Sequence, residues 1–126
     1  MPRHLLDSDI LIWVLRGKKE AVDFVRNLLK EEIPAISALA FYEIWAGARA
    51  HEEDAISDFL SEFVILAVDQ DVAKQGAHYY AAFRKKGITL SVTDALIAGT
   101  ARVRGLILVT QNVRHFPMRD VEKRSI

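Results

Sequence analysis

The stretch LLDSDILI, Leu5–Ile12, sets Asp7 and Asp9 one residue apart in a largely aliphatic run. Charged side chains are seldom fully buried without a partner, so the pair needs a reason. The apolar run His4–Leu6 is too short for a helix and reads as a strand. Asp7 then stands at the carboxyl end of a core strand. Ser8 or Asp9 caps the helix that follows, both residue types being favoured there. The fold turns on whether the rest of the chain repeats this order of strand, polar end and helix.

It does. IPAI (33–36), FVILAV (63–68) and LILV (106–109) are short, branched-aliphatic runs of the kind that form strands. They are nearly continuous rather than alternating, as suits parallel strands buried on both faces. Between them lie helical patterns. In KKEAVDFVRNLLKEE, Ala21, Val22, Val25, Leu28 and Leu29 recur at helical spacing. EEDAISDFLSEF repeats Ile56, Phe59, Leu60 and Phe63. DQDVAKQGAHYYAAFRKKG carries Val72, Ala73, Ala77, Tyr80 and Phe83 on one stripe, with basic residues in its last turn and Gly87 as its stop. SVTDALIAGTARVRG runs from Ser91 to Gly105. Strands alternating with helices predict a parallel α/β sheet, with a weak fifth strand near VEKRS. No repeat, linker or low-complexity tract divides the chain, so residues 1–126 read as one domain.

Composition narrows the function. The chain lacks cysteine, which excludes disulfides, thiolate zinc sites and cysteine nucleophiles. Its 17 basic residues balance 17 acidic ones, so any nucleic-acid role needs a local basic patch. The start MPRHLLDSDI has no signal-peptide pattern, and no apolar run nears the roughly 20 residues that span a bilayer. A soluble, cytoplasmic domain is expected.

Sites in open parallel sheets form beyond the carboxyl ends of the strands. Asp7 follows the first strand, Thr110 and Asn112 follow LILV, Ser37 follows IPAI, and Asp94 lies in the first turn of the helix from Ser91. Glu43 is the only charged residue between Ser37 and Ala48. Its helix is apolar on nearly every side and reads as buried all round. A buried carboxylate must be paired, hydrogen-bonded, protonated or bound to a metal. Glu43 lies roughly 9 Å along the helix from Ser37, at about 1.5 Å per residue, within sideways reach of the sheet top.

Each position also has a plainer reading. Asp7 and Asn112 suit ordinary turns, Ser91-x-x-Asp94 matches a capping box, and Glu43 pairs with a core arginine such as Arg102. The convergence of several acids at one sheet end favours chemistry. Hard oxygen ligands suit Mg²⁺ or Mn²⁺, and a divalent cation holds gathered like charges ionised together. Metal-assisted phosphodiester hydrolysis is then the leading reaction class.

These residues resemble the PIN-domain ribonucleases, in particular the VapC-type toxins of bacterial and archaeal toxin–antitoxin pairs. LLDSDILI resembles the opening motif, with its acid on Asp7 and with Asp9 where the family commonly has Asn or Ser. ALAFYEIWAGA resembles the second, with its Glu on Glu43 and its Gly on Gly47. SVTDALIAGTARVRGLILVTQNVRHF places the third acid on Asp94 and the last motif on Thr110–Phe116. Asn112 departs from the fourth Asp of many PIN domains. The resemblance spans Leu5 to about Pro117. It implies a parallel sheet of four to five strands in the order 3-2-1-4-5, flanked by helices. It also implies a Mg²⁺- or Mn²⁺-dependent endoribonuclease, a homodimer and a cognate antitoxin. Asp7 and Asp94 are then the main metal ligands. Glu43 ligates directly or through water and helps activate the attacking water, and Asn112 and Thr110 complete the shell.

RNA requires positive charge. Arg114 and His115 lie nearest the last motif and are the favoured phosphate contacts. Arg16, Lys18, Lys19 and the run Arg84–Lys86 are further candidates. His115, beside Phe116 and Pro117, is read as part of a packed turn rather than as a general acid. Phe41, Tyr42 and Trp45 exceed what one small core hides and suit an interface. Two rivals remain. One is a catalytically inert RNA- or protein-binding module. The other is a haloacid-dehalogenase-type phosphatase using Asp7 as nucleophile, although no lysine follows a comparable strand.

Overall fold

Leu5 and Leu6 are both fully buried, yet they face different cores. They lie in β1 (His4–Leu6), the central strand of a five-stranded parallel sheet. The computed structural model describes all 126 residues. The other strands are β2 (Ala35–Ser37), β3 (Val64–Leu66), β4 (Ile107–Val109) and β5 (Lys123–Arg124), in the order β3-β2-β1-β4-β5. Leu5 pairs with Ala35 on one side and with Leu108 on the other, and Leu6 pairs with Val109. Successive side chains point to opposite faces, so each strand feeds two helical layers.

On one face Leu6, Ile36 and Val109 pack against α1 (Ser8–Leu15), α2 (Lys19–Leu29), α3 (Ala38–Ala46) and α4 (Glu53–Leu60). On the other, Leu5, Ala35 and Leu108 pack against α5 (Gln70–Arg84), α6 (Val92–Arg104) and the C-terminal residues Phe116, Met118 and Val121. Burying one such aliphatic side chain stabilises the fold by about 1.5–3 kcal/mol. The base of β1 is anchored by Glu32, whose carboxylate accepts from the Arg3 amide at 3.0 Å and from the His4 amide and ring Nδ1, both at 3.1 Å.

The α5–α6 pair holds the element that carries Asp94. A Cβ on Gly99 would sit 2.8 Å from the Val72 carbonyl oxygen and 3.0 Å from the Gly76 nitrogen. Glycine alone permits this backbone approach. Gly105 ends α6 in the left-handed region, φ +65°, as its place after the last turn predicts.

Two expectations change. The run Phe63–Val68 forms only a three-residue strand, and Val64 and Ile65 are exposed. β3 is an edge strand that the helical layers leave partly uncovered, so the both-face burial holds for the central strands only. α3 is not buried all round either. Ala40 and Ile44 are buried, whereas Tyr42 and Glu43 are exposed. The helix lies on the sheet by one stripe, and Tyr42 stands 68% exposed.

Candidate active site

Asp7, not Ser8 or Asp9, caps α1. Its Oδ1 accepts from the Ser8 amide, the first of the helix, at 2.8 Å, and its backbone (φ −73°, ψ 158°) has the extended conformation of an N-cap. Its Oδ2 accepts from the buried Thr110 hydroxyl at 2.9 Å. Thr110 leaves β4 beside β1, and the Asp7 amide donates to the Val109 carbonyl at 2.9 Å. Strand register thus sets this contact. Burial, with the neighbouring Asp9 and then Asp94 charges adding to it, pushes the Asp7 carboxyl up to about 6 against the pull of the Thr110 and Ser8 donors.

Asp9 lies in the first turn of α1. Its Oδ2 accepts from the Gln111 amide at 2.9 Å and from Asn112 Nδ2 at 3.2 Å, with Thr110 Oγ1 at 3.4 Å. Its Oδ1 is buried with no hydrogen-bond partner. Burial raises its carboxyl above the usual range, and the Gln111 amide offsets part of the rise. Asn112 is an exposed turn residue whose amide donates to Thr110 Oγ1 at 3.0 Å.

Asp94 sits in the first turn of α6, where its amide donates to Ser91 Oγ at 3.0 Å. Its carboxylate is a quarter exposed, with His115 Nδ1 3.7 Å away. The packed-turn reading holds for Phe116, which is buried, while His115 projects outward. Glu43 does not pair with Arg102, which bonds Asp120 at 3.2 Å instead. Desolvation raises the Glu43 carboxyl. The Ser8 hydroxyl opposes the rise, and the Asp94 charge adds to it. Asp94 therefore acts on both Asp7 and Glu43, three acids from three separate elements facing one region at the sheet top.

No three acidic or histidine side chains close tightly enough to grip one ion in common. The donor set nonetheless fits a hard divalent cation. It is all oxygen, the Asp94 charge raises the proton affinity of both Asp7 and Glu43, and the set includes the unpartnered Asp9 Oδ1. Composition and spacing alone did not assign Asp9 this place. The Asp-x-Asp spacing was the available signal, but only the return of β4 beside β1 brings Gln111 and Asn112 to it.

The PIN domain model matches residues 4–122. The chain belongs to the PIN domain family. Its relatives include Ribonuclease VapC19 of Mycobacterium tuberculosis, to which this PIN domain is 38% identical over 90% of the chain and 92% of the relative. The tRNA(fMet)-specific endonuclease VapC of Shigella flexneri is 31% identical over 92% of the chain and 91% of its own length. A solved structure of DNA-bound VapBC from Salmonella typhimurium superposes with a TM-score of 0.86 at 27% identity, covering 99% of this chain and 98% of that one. Family membership sets aside the dehalogenase-type phosphatase. No helix of this PIN domain is long and apolar enough to cross a membrane.

Proposed function

We propose that this PIN domain is a Mg²⁺- or Mn²⁺-dependent endoribonuclease and the toxin of a toxin–antitoxin pair. The observation that carries the reading is the set Asp7, Glu43 and Asp94 at one end of the central strands, with desolvation and, after it, the Asp94 charge raising the Asp7 and Glu43 carboxyls. The VapC relatives support RNA as the substrate class. Asp7 and Asp94 are the residues that would hold the cation, with Glu43 beside them. A divalent cation held there would lower the pKa of a water and polarise the phosphorus–oxygen bond.

The chain's own residues do the rest. Thr110 fixes the Asp7 carboxylate by a hydrogen bond. Glu43 takes the proton of the attacking water as oxygen adds to phosphorus, the opposite phosphorus–oxygen bond breaks, and the leaving oxygen takes a proton from solvent. Arg114 is exposed and forms no ion pair, which leaves its charge for a phosphate. A hollow of about 280 Å³ lined by Thr89, Ser91, Asp94, Arg114 and His115 gives the RNA strand a path beside the acids.

The partner reading rests on the likeness to VapBC complexes and on a groove of about 240 Å³ bearing Ile12, Leu15, Ile44 and Glu43. An antitoxin segment seated there covers the site. The apolar α5–α6 face, with Tyr80, Leu96 and exposed Val92, is the proposed homodimer contact. A monomer in sedimentation at micromolar concentration contradicts that dimer.

Induced expression in a bacterial host tests the function. The wild-type chain is expected to arrest growth and to leave RNA fragments, and Asp7→Asn to do neither. Arrest by Asp7→Asn at wild-type strength favours the inert binding module instead.

A further inference from the structure

Asp9 shares the Thr110 hydroxyl with Asp7 but has no role in the proposed hydrolysis. We infer that Asp9 is a positioning residue that supplies the candidate site's fourth negative charge while tying the turn after β4 to the first turn of α1. The inference rests on the metal-dependent reading.

Two features of its bonding separate charge from scaffold. Oδ2 alone meets the donors of the turn, taking the Gln111 amide and Asn112 Nδ2. An asparagine oxygen would serve equally for holding that turn. The second oxygen and the charge are therefore surplus to the scaffold. Oδ1 is buried without a donor, and no lysine, arginine or histidine forms an ion pair with Asp9. A buried carboxylate oxygen with neither donor nor counter-charge destabilises the fold. Asp7 shares the Thr110 hydroxyl with Asp9, so the two charges also repel. A divalent cation held beside Asp7 and Asp9 would relieve both penalties at once. Asn112, on the far side of the 3.2 Å bond, is neutral. Of the two partners in that bond, only Asp9 carries negative charge.

Mn²⁺ titration of the full-length protein at pH 7.5, with thermal unfolding of the metal-free form alongside, tests this. Asp9→Asn keeps an acceptor for the Gln111 amide and removes the charge. It is expected to bind Mn²⁺ at least about tenfold more weakly, with a metal-free melting temperature at or above that of the wild type. The double variant Asp9→Asn/Asn112→Asp returns the charge to the other end of the same hydrogen bond and is expected to recover most of the affinity. It also carries the test if Asp9→Asn alone fails to fold. Affinity within about twofold of wild type in Asp9→Asn overturns the inference, as does a double variant that binds no better than a tenth as well as wild type. A wild-type protein that binds no Mn²⁺ overturns the metal-dependent reading itself and this inference with it.

Discussion

The Thr110 hydroxyl donates to Asp7 Oδ2 at 2.9 Å across 103 positions of sequence. It joins the carboxyl ends of β1 and β4, and it accepts from the Asn112 amide at 3.0 Å. One hydroxyl therefore orients the acid and closes the turn. Thr110→Val keeps the shape and removes both bonds. A buried hydrogen bond to a charged group is worth about 1.5–3 kcal/mol, so urea unfolding at pH 7.5 should show a loss of that size. Thr110→Ser should stay near wild type.

Asp7 gives the fold a pH dependence of definite sign. Its carboxyl titrates at about 6 in the folded protein against 3.8 unfolded. Between those values the folded chain holds a proton that the unfolded chain has released. The stabilising contribution is complete below about pH 4 and is lost as pH rises through 6, a change of about 3 kcal/mol at most. Metal-free Asp7→Asn lacks this titration. Its stability relative to wild type should therefore be higher at pH 7.5 than at pH 4.5, as read by urea unfolding at both values. A relative stability that does not vary with pH contradicts the burial argument.

Glu43 stands on the exposed side of α3, so the charge can be removed without disturbing the core. Glu43→Gln should unfold within about 0.5 kcal/mol of wild type. If it takes the proton of the attacking water, turnover should fall by about 10²-fold or more. Single-turnover cleavage separates this from a binding defect.

Arg114 tests the path of the RNA strand. Arg114→Ala should raise KM for RNA several-fold while leaving kcat nearly unchanged, and it should reduce the salt dependence of binding by about one counterion. A fall in kcat with KM unchanged places Arg114 at the reacting phosphate instead.

The central strands and the glycine that ends α6 were legible because burial on both faces and the left-handed cap leave direct marks in residue type. The parallel order β3-β2-β1-β4-β5 followed from the family resemblance and fits strand–helix alternation. Exposure was harder to read. Glu43 and Tyr42 lie in a run of apolar residues whose pattern cannot distinguish a buried helix from one that lends a face to a partner. Asp9 was obscured for another reason. Its donors come from Gln111 and Asn112, and only strand register brings these to α1. The local cap preference named Ser8 or Asp9, yet the cap went to Asp7, where the strand ends one residue earlier.

Purified full-length protein incubated with RNA in Mg²⁺, beside the same reaction in EDTA and beside Asp94→Ala in Mg²⁺, addresses the proposed metal-dependent chemistry most directly. Fragments are expected in the first reaction only. Equal cleavage in all three would contradict a site in which these acids work through a common cation.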